Sequence, residues 1–125
     1  MTDASFLYVT IDAVDAERAA TFWAALLDTE IDEWFDDGRF AFLEGRDGLP
    51  VVCIQRVPEA KQVKNRVHLD LGVDDLDAAT RRVEELGGSW VGGQTRSLDP
   101  FTWRTMADPD GNEFDIALVA EEGGG

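Results

Sequence analysis

Tyr8 to Ile31 reads YVTIDAVDAERAATFWAALLDTEI, and His68 to Val91 reads HLDLGVDDLDAATRRVEELGGSWV. Laid on each other, the two stretches bring Asp15 onto Asp75, Ala19 onto Ala79, Trp23 onto Val83, Leu26 onto Leu86 and Ile31 onto Val91. Each match keeps its chemical role, so the chain reads as one structural unit performed twice. Ahead of each Asp, apolar residues alternate with others: Leu7, Val9 and Ile11, then Val67, Leu69 and Leu71. That period of two is the pattern of a half-buried strand. After each Asp the period changes. Ala19, Phe22, Trp23 and Leu26, then Leu76, Ala79, Val83 and Leu86, recur at intervals of three and four, which gathers them on one helical face.

The helix ends are written in the same stretches. Asp15 and Asp75 are natural N-caps, because a carboxylate accepts the N–H groups that the first turn leaves unbonded. Gly87 and Gly88 supply a left-handed C-cap for the second helix, whereas the first stops at Leu27-Asp28, where Asp takes that conformation less readily. Behind each helix lie three further strand-like stretches. In the first half these are Glu30 to Phe35, Arg39 to Glu44 and Pro50 to Val57, with Asp36-Asp37-Gly38 as a hairpin turn. In the second they are Ser89 to Gly92, Thr102 to Ala107 and Asn112 to Val119, with Asp108-Pro109-Asp110-Gly111 joining the last two. The expected organisation is a single domain over 1–120, made of repeats 5–57 and 66–119 with a linker at 58–65 that carries both lysines, and a disordered tail at 121–125. This predicts an α+β fold: two βαβββ modules related by a pseudo-twofold, their mixed sheet curled into an open cup with the helices outside.

Composition narrows the function classes. A chain of 125 residues makes one ordinary domain with a real core. The formal charge of -15, from 26 acidic against 11 basic residues, repels phosphate backbones and anionic lipid headgroups, so no nucleic acid and no membrane partner is expected. No apolar run approaches the roughly 20 residues of a spanning helix. Cys53 stands alone and cannot form an internal disulfide, and no secretion signal precedes the first strand, so a reducing cytoplasmic setting is expected. Asp108 to Asn112 looks like the start of a calcium loop but lacks the turn glycine and the closing Glu. Gly87-Gly88 and Gly92-Gly93 match no phosphate-binding motif.

Strand parity sorts the remaining side chains by face. With Leu7, Val9 and Ile11 toward the helix, Phe6, Tyr8, Thr10 and Asp12 turn to the cup, and so do His68, Asp70 and Gly72 in the second half. Glu113, Asp115 and Ala117 share that face on the last strand, as do Val51, Cys53 and Gln55 on the fourth. Trp103 has the parity of Thr105 and Ala107 and is expected on the aromatic wall of the cup, while Trp23 belongs to the core. Inward carboxylates favour a cationic or hydroxyl-rich ligand, unless Arg56, Arg66 or Arg104 reaches the mouth.

The stretches VTIDAVDAERAATFW, QRVPEAKQVKNRVHLDLGVDDLDAATRRVEELGG and MADPDGNEFDIALV resemble the vicinal-oxygen-chelate superfamily, the glyoxalase, bleomycin-resistance and dioxygenase class, and in particular its glyoxalase-like members of unassigned chemistry. The resemblance implies a homodimer, and a small-molecule ligand held in the cup. It also places metal-ligand positions at Tyr8, at Gln55 (or Cys53, one step back in parity), at His68 and at Asp115. Only His68 and Asp115 are strong ligands, since a phenol keeps its proton at neutral pH and an amide oxygen donates weakly. The metal site is therefore expected to be depleted and no cofactor is assigned; a divalent ion would need Asp70, Asp12 or Cys53 to complete its shell. The expected ligand-binding residues are Tyr8, Gln55, His68, Asp70, Trp103 and Asp115. Binding of a metabolite or drug is the first reading. The alternative is a lyase or isomerase, metal-dependent or metal-free, with His68 and Asp115 as catalytic proton-transfer groups.

Overall fold

The computed structural model describes residue 4, residues 6–46 and residues 51–119. The expected tail at 121–125 lies outside the described residues, as do Ser5 and Pro50. The chain divides into two compact units, Met1–Ala60 and Lys61–Gly125, and the division falls inside the stretch read as a linker.

The first unit runs β1 (Tyr8–Ala13), α1 (Ala16–Leu26), β2 (Ile31–Phe35), β3 (Phe40–Leu43) and β4 (Val51–Arg56). Asp15 caps α1 as its composition dictates, its side chain accepting from Arg18 N at 3.0 Å. Beyond α1, Asp28 takes φ 54, the left-handed turn that glycine would make more cheaply. The sheet order is β1-β4-β3-β2, with β1 parallel to β4 and the other pairs antiparallel. Asp36, Asp37 and Gly38 all have positive φ and close the β2–β3 hairpin. The helix covers one sheet face: Ala19, Ala20, Phe22 and Trp23 are buried against Ala41, Leu43, Val52 and Ile54. Burying Phe22 and Trp23 stabilises the unit by about 2–3 kcal/mol apiece. Along β2 the register slips between Ile31, opposite Leu43, and Glu33, opposite Phe42. Two residues there face one, which is a β-bulge with Asp32 as the extra residue.

The second unit repeats the plan with one addition. Its elements are β5 (Asp70–Gly72), α2 (Leu76–Glu85), β6 (Ser89–Trp90), β7 (Arg96–Leu98), β8 (Phe101–Ala107) and β9 (Glu113–Val119). The order β5-β9-β8-β6 is the first unit's order again, first strand beside last. Asp75 caps α2 through Ala78 N at 3.0 Å, and Gly87 follows it with φ 102. Val83 of α2 is buried, as are Met106, Phe114 and Ile116 of the sheet beneath it. The apolar stripe predicted Ala79 as a core position, yet Thr80 is the buried neighbour. Its hydroxyl is satisfied twice, donating to Leu76 O at 2.7 Å and accepting from Arg104 Nη1 at 2.8 Å, so burial costs it little. The added strand β7 pairs with β8 through a turn at Asp99-Pro100 and lies on the same edge of β8 as β6. Arg96-Ser97-Leu98 carries no apolar alternation, which is why the pattern did not mark it as a strand.

Candidate functional site

Asp115 is the fixed point of the second unit's sheet face away from α2. It sits on β9 opposite Asp70 of β5 and Thr105 of β8, and its side chain is only 13% exposed. The Thr105 hydroxyl donates to Asp115 Oδ1 at 2.8 Å. Asp115 Oδ2 lies 3.3 Å from His68 Nε2, and Asp70 Oδ1 lies 3.2 Å from the same nitrogen. His68 stands just ahead of β5, kept in strand parity by the bond from Asp115 N to Leu69 O at 2.9 Å. Among the described residues, His68, Asp70 and Asp115 form the one cluster of three ligand-type side chains, their donor atoms within 4.8 Å of one another. With a neutral imidazole this cluster carries two negative charges, with an imidazolium one.

Beside it a concavity of about 310 Å³ is lined by Trp103, Thr105, Glu113, Arg96 and Lys64, among others. Trp103 is on the face that parity assigned it, opposite Ala117. Glu113 anchors the stretch before His68: its carboxylate is 3.4 Å from Lys64 Nζ and 4.0 Å from Lys61 Nζ, and its carbonyl accepts from Asn65 Nδ2 at 2.7 Å. The sequence did not point to Arg96 or Lys64 here. Arg96 arrives with the unforeseen β7, and the lysine comes from a segment read as a linker. Arg104 does not reach this face. Arg104 turns to α2, where it bonds Asp77 Oδ1 at 2.9 Å and stacks 4.2 Å over Trp90. Arg56 lines a separate hollow with Val14, Glu17 and Trp34 near the start of α1.

In the first unit, Tyr8, Thr10 and Asp12 share a face with Val51, Cys53 and Gln55. Tyr8 pairs with Val51 and Gln55 with Asp12, so four residues of strand, roughly 13 Å, separate Tyr8 from Gln55. The two do not meet at one point. Register also distinguishes Gln55 from Cys53: Thr10 opposes Cys53 as Asp70 opposes Asp115, so Cys53 holds the first unit's equivalent of the Asp115 position. Burial pushes the Cys53 thiol up from its ordinary 9.0, only partly offset by a hydrogen bond with Thr10. Its Sγ lies 3.8 Å from Ile54 O. A thiol that holds its proton is a poor metal ligand and a poor nucleophile. Thus Tyr8, Thr10 and Cys53 stand where the second unit has His68, Asp70 and Asp115, and none offers a strong donor.

Two open sheets of mixed direction, each covered by one helix and ordered first strand beside last, define the class as α+β with repeated βαβββ modules. Solved structures share this fold. A glyoxalase/bleomycin resistance protein/dioxygenase family enzyme from Burkholderia phytofirmans aligns with a TM-score of 0.74 at 18% identity, over 93% of this chain and 99% of its own. Fosfomycin resistance protein FosX from Mesorhizobium loti aligns at 0.71 and 20% identity, over 96% and 95% of the two chains. A lactoylglutathione lyase from Agrobacterium tumefaciens aligns at 0.65 and 15%, over 94% and 95%. Comparison with curated proteins returned no match. The chain belongs to the glyoxalase-like domain family, whose model matches residues 8–117, and so to the vicinal-oxygen-chelate superfamily. No helix among the described residues is long and apolar enough to cross a membrane.

Proposed function

We propose that this protein binds a small oxygenated organic molecule on the second unit's sheet face, with Trp103 against its apolar part and His68, Asp70 and Asp115 at its oxygen functions. The observation that carries the reading is the Asp115 carboxylate, largely buried, fixed by Thr105 on one oxygen and turned with the other toward a half-exposed imidazole. A polar group held this way meets a ligand without further ordering cost. Lys64 and Arg96 beside Trp103 add a place for an acidic substituent, so the ligand preference is wider than the carboxylates alone suggest. The reading extends to a cytoplasmic homodimer, supported by family membership and the single buried cysteine. Light scattering at micromolar concentration tests the dimer. The ligand test is a thermal-shift screen of metabolites and antibiotics, because a ligand at a hundred times its dissociation constant adds about 2.7 kcal/mol of stability. True ligands lose their shift in Asp115→Ala and Trp103→Ala. Hits that keep it in both variants would sink the proposal.

One observation favours a second reading, an enzyme of lyase or isomerase type. Two carboxylate oxygens converge on the same ring nitrogen, where a single N–H serves one acceptor well. Donors sharing a divalent ion at about 2.1 Å stand roughly 3.0–3.4 Å apart, which the 3.2 and 3.3 Å separations match. His68 thus meets this spacing with each carboxylate, and the three donors together lie within 4.8 Å, so Asp70 and Asp115 would have to draw together on an ion to complete a three-ligand site. A bound ion would polarise a substrate oxygen. In the metal-free form of this reading Asp115 or His68 moves the proton at the carbon next to that oxygen. Elemental analysis and manganese or zinc titration of the wild type and His68→Ala decide whether a metal is part of this site. Well under one equivalent bound supports the metal-free reading; a stoichiometric ion lost in His68→Ala overturns it.

A further inference from the structure

The first unit carries a concavity of about 500 Å³, and its reading does not rest on that of the His68 cluster. Tyr8, Phe35 and Phe42 form one wall. Tyr8 meets Phe42 at 5.1 Å and 66°, and Phe35 meets it at 5.3 Å and 89°, so the rings stand as corners rather than as a flat stack. Tyr8 and Phe35 remain 52% and 44% exposed, more than packing between strands needs. Asp32 and Glu33 line the same hollow. Consecutive strand residues normally face opposite ways. The bulge in β2 breaks that alternation, and both residues border the hollow that the rings line.

We propose that this concavity is a binding site for an organic ammonium ion, of quaternary or tertiary type. Aromatic faces attract a diffuse cation through their negative π-surface, and methylated ammonium carries apolar methyl groups that profit from the same rings. The nearby carboxylates complement its charge, and among the described residues no basic side chain lines the hollow. A compact inorganic cation, by contrast, would keep its water against rings that supply no lone pairs.

Choline chloride is the probe, titrated calorimetrically at low and moderate salt beside its neutral carbon isostere. Choline is expected to bind, and the isostere to bind at least about fivefold more weakly. Tyr8→Ala and Phe35→Ala, both at exposed positions, each weaken choline about fivefold or more, while Tyr8→Phe keeps affinity within about twofold. The Asp32→Asn/Glu33→Gln double variant weakens it about three- to tenfold and flattens the salt dependence. Thermal unfolding confirms that each variant is folded. Equal binding of choline and its isostere overturns the proposal. So does choline affinity that survives Tyr8→Ala but is lost in His68→Ala, which would move the site to the second unit. Loss of metabolite binding at His68 with choline binding intact leaves this inference standing while the other reading fails.

Discussion

The hydroxyl of Thr105 donates to Asp115 Oδ1 at 2.8 Å across the β8–β9 pair, leaving Oδ2 directed at His68. A bond to a charged acceptor is worth about 1.5–3 kcal/mol, and here it also selects the carboxylate's rotamer. Thr105→Val is expected to lower the unfolding free energy by about that amount and to weaken ligand binding in the second unit, with Thr105→Ser restoring both. Urea denaturation and calorimetry check this. Unchanged ligand affinity in Thr105→Val would show that Asp115 is not held for binding.

Arg104 is a structural anchor on the helix side. Its guanidinium bonds Asp77, Thr80 and Leu76 O, its Nε bonds Thr95 at 3.0 Å, and its plane covers Trp90. Asp77 is 73% exposed, so that ion pair contributes little, and removing it costs under about 1 kcal/mol. Arg104→Ala is expected to cost about 2–3 kcal/mol, because Thr80 is left buried with one partner fewer and Trp90 loses its cover. Arg104→Lys should rescue poorly, since an ammonium cannot reproduce the planar fork. Ligand shifts in the second unit stay unchanged once stability is corrected for; their loss would place Arg104 in the site after all.

Asp108 is 3% exposed and organises the β8–β9 turn, one oxygen accepting from Asp110 N and Asn112 N at 2.9 Å each and the other from Asn112 Nδ2 at 3.1 Å. Asp108→Ala removes all three bonds and is expected to cost on the order of 3 kcal/mol, against about half that for Asp108→Asn. The measurement is the urea midpoint at constant slope. A midpoint shift no larger than that of an exposed control such as Glu85→Ala would refute the role.

Cys53 couples stability to alkaline pH. Its folded pKa is raised by burial above the ordinary 9.0, so between the two values the folded state holds a proton that the unfolded chain has released. Unfolding free energy is then highest below that window and falls as pH rises through it. Urea titrations from near pH 7 to about pH 10 should show a steeper decline for the wild type than for Cys53→Ala, and native protein should alkylate far more slowly than unfolded protein. Parallel stability curves for the two proteins would contradict the assignment.

Much of the architecture was legible because its signals are local. The N-caps at Asp15 and Asp75, the stop at Gly87 and the Asp36-Asp37-Gly38 turn depend on backbone chemistry within a few residues, and each stands where composition put it. Parity likewise assigned Trp103, Asp115 and Cys53 to their faces, because side chains alternate along any regular strand. Alternation carries no information about which residues on a face are level with one another. That Tyr8 and Gln55 lie far apart while Asp70 and Asp115 stand opposite is a matter of register between strands distant in sequence.

From the sequence alone came the repeat, the α+β class, the helix limits and the identity of the residues on each face, all consequences of periodicity and capping along the chain. Only the tertiary structure brought Asp70 to His68 beside Asp115, sent Arg104 to the helix instead of the ligand face, paired Arg96 into the sheet through β7, and set Asp32 and Glu33 on the border of one hollow. Those outcomes turn on pairing register and a single bulged residue, which are decided by hydrogen bonding and packing between segments that the linear pattern cannot place against each other.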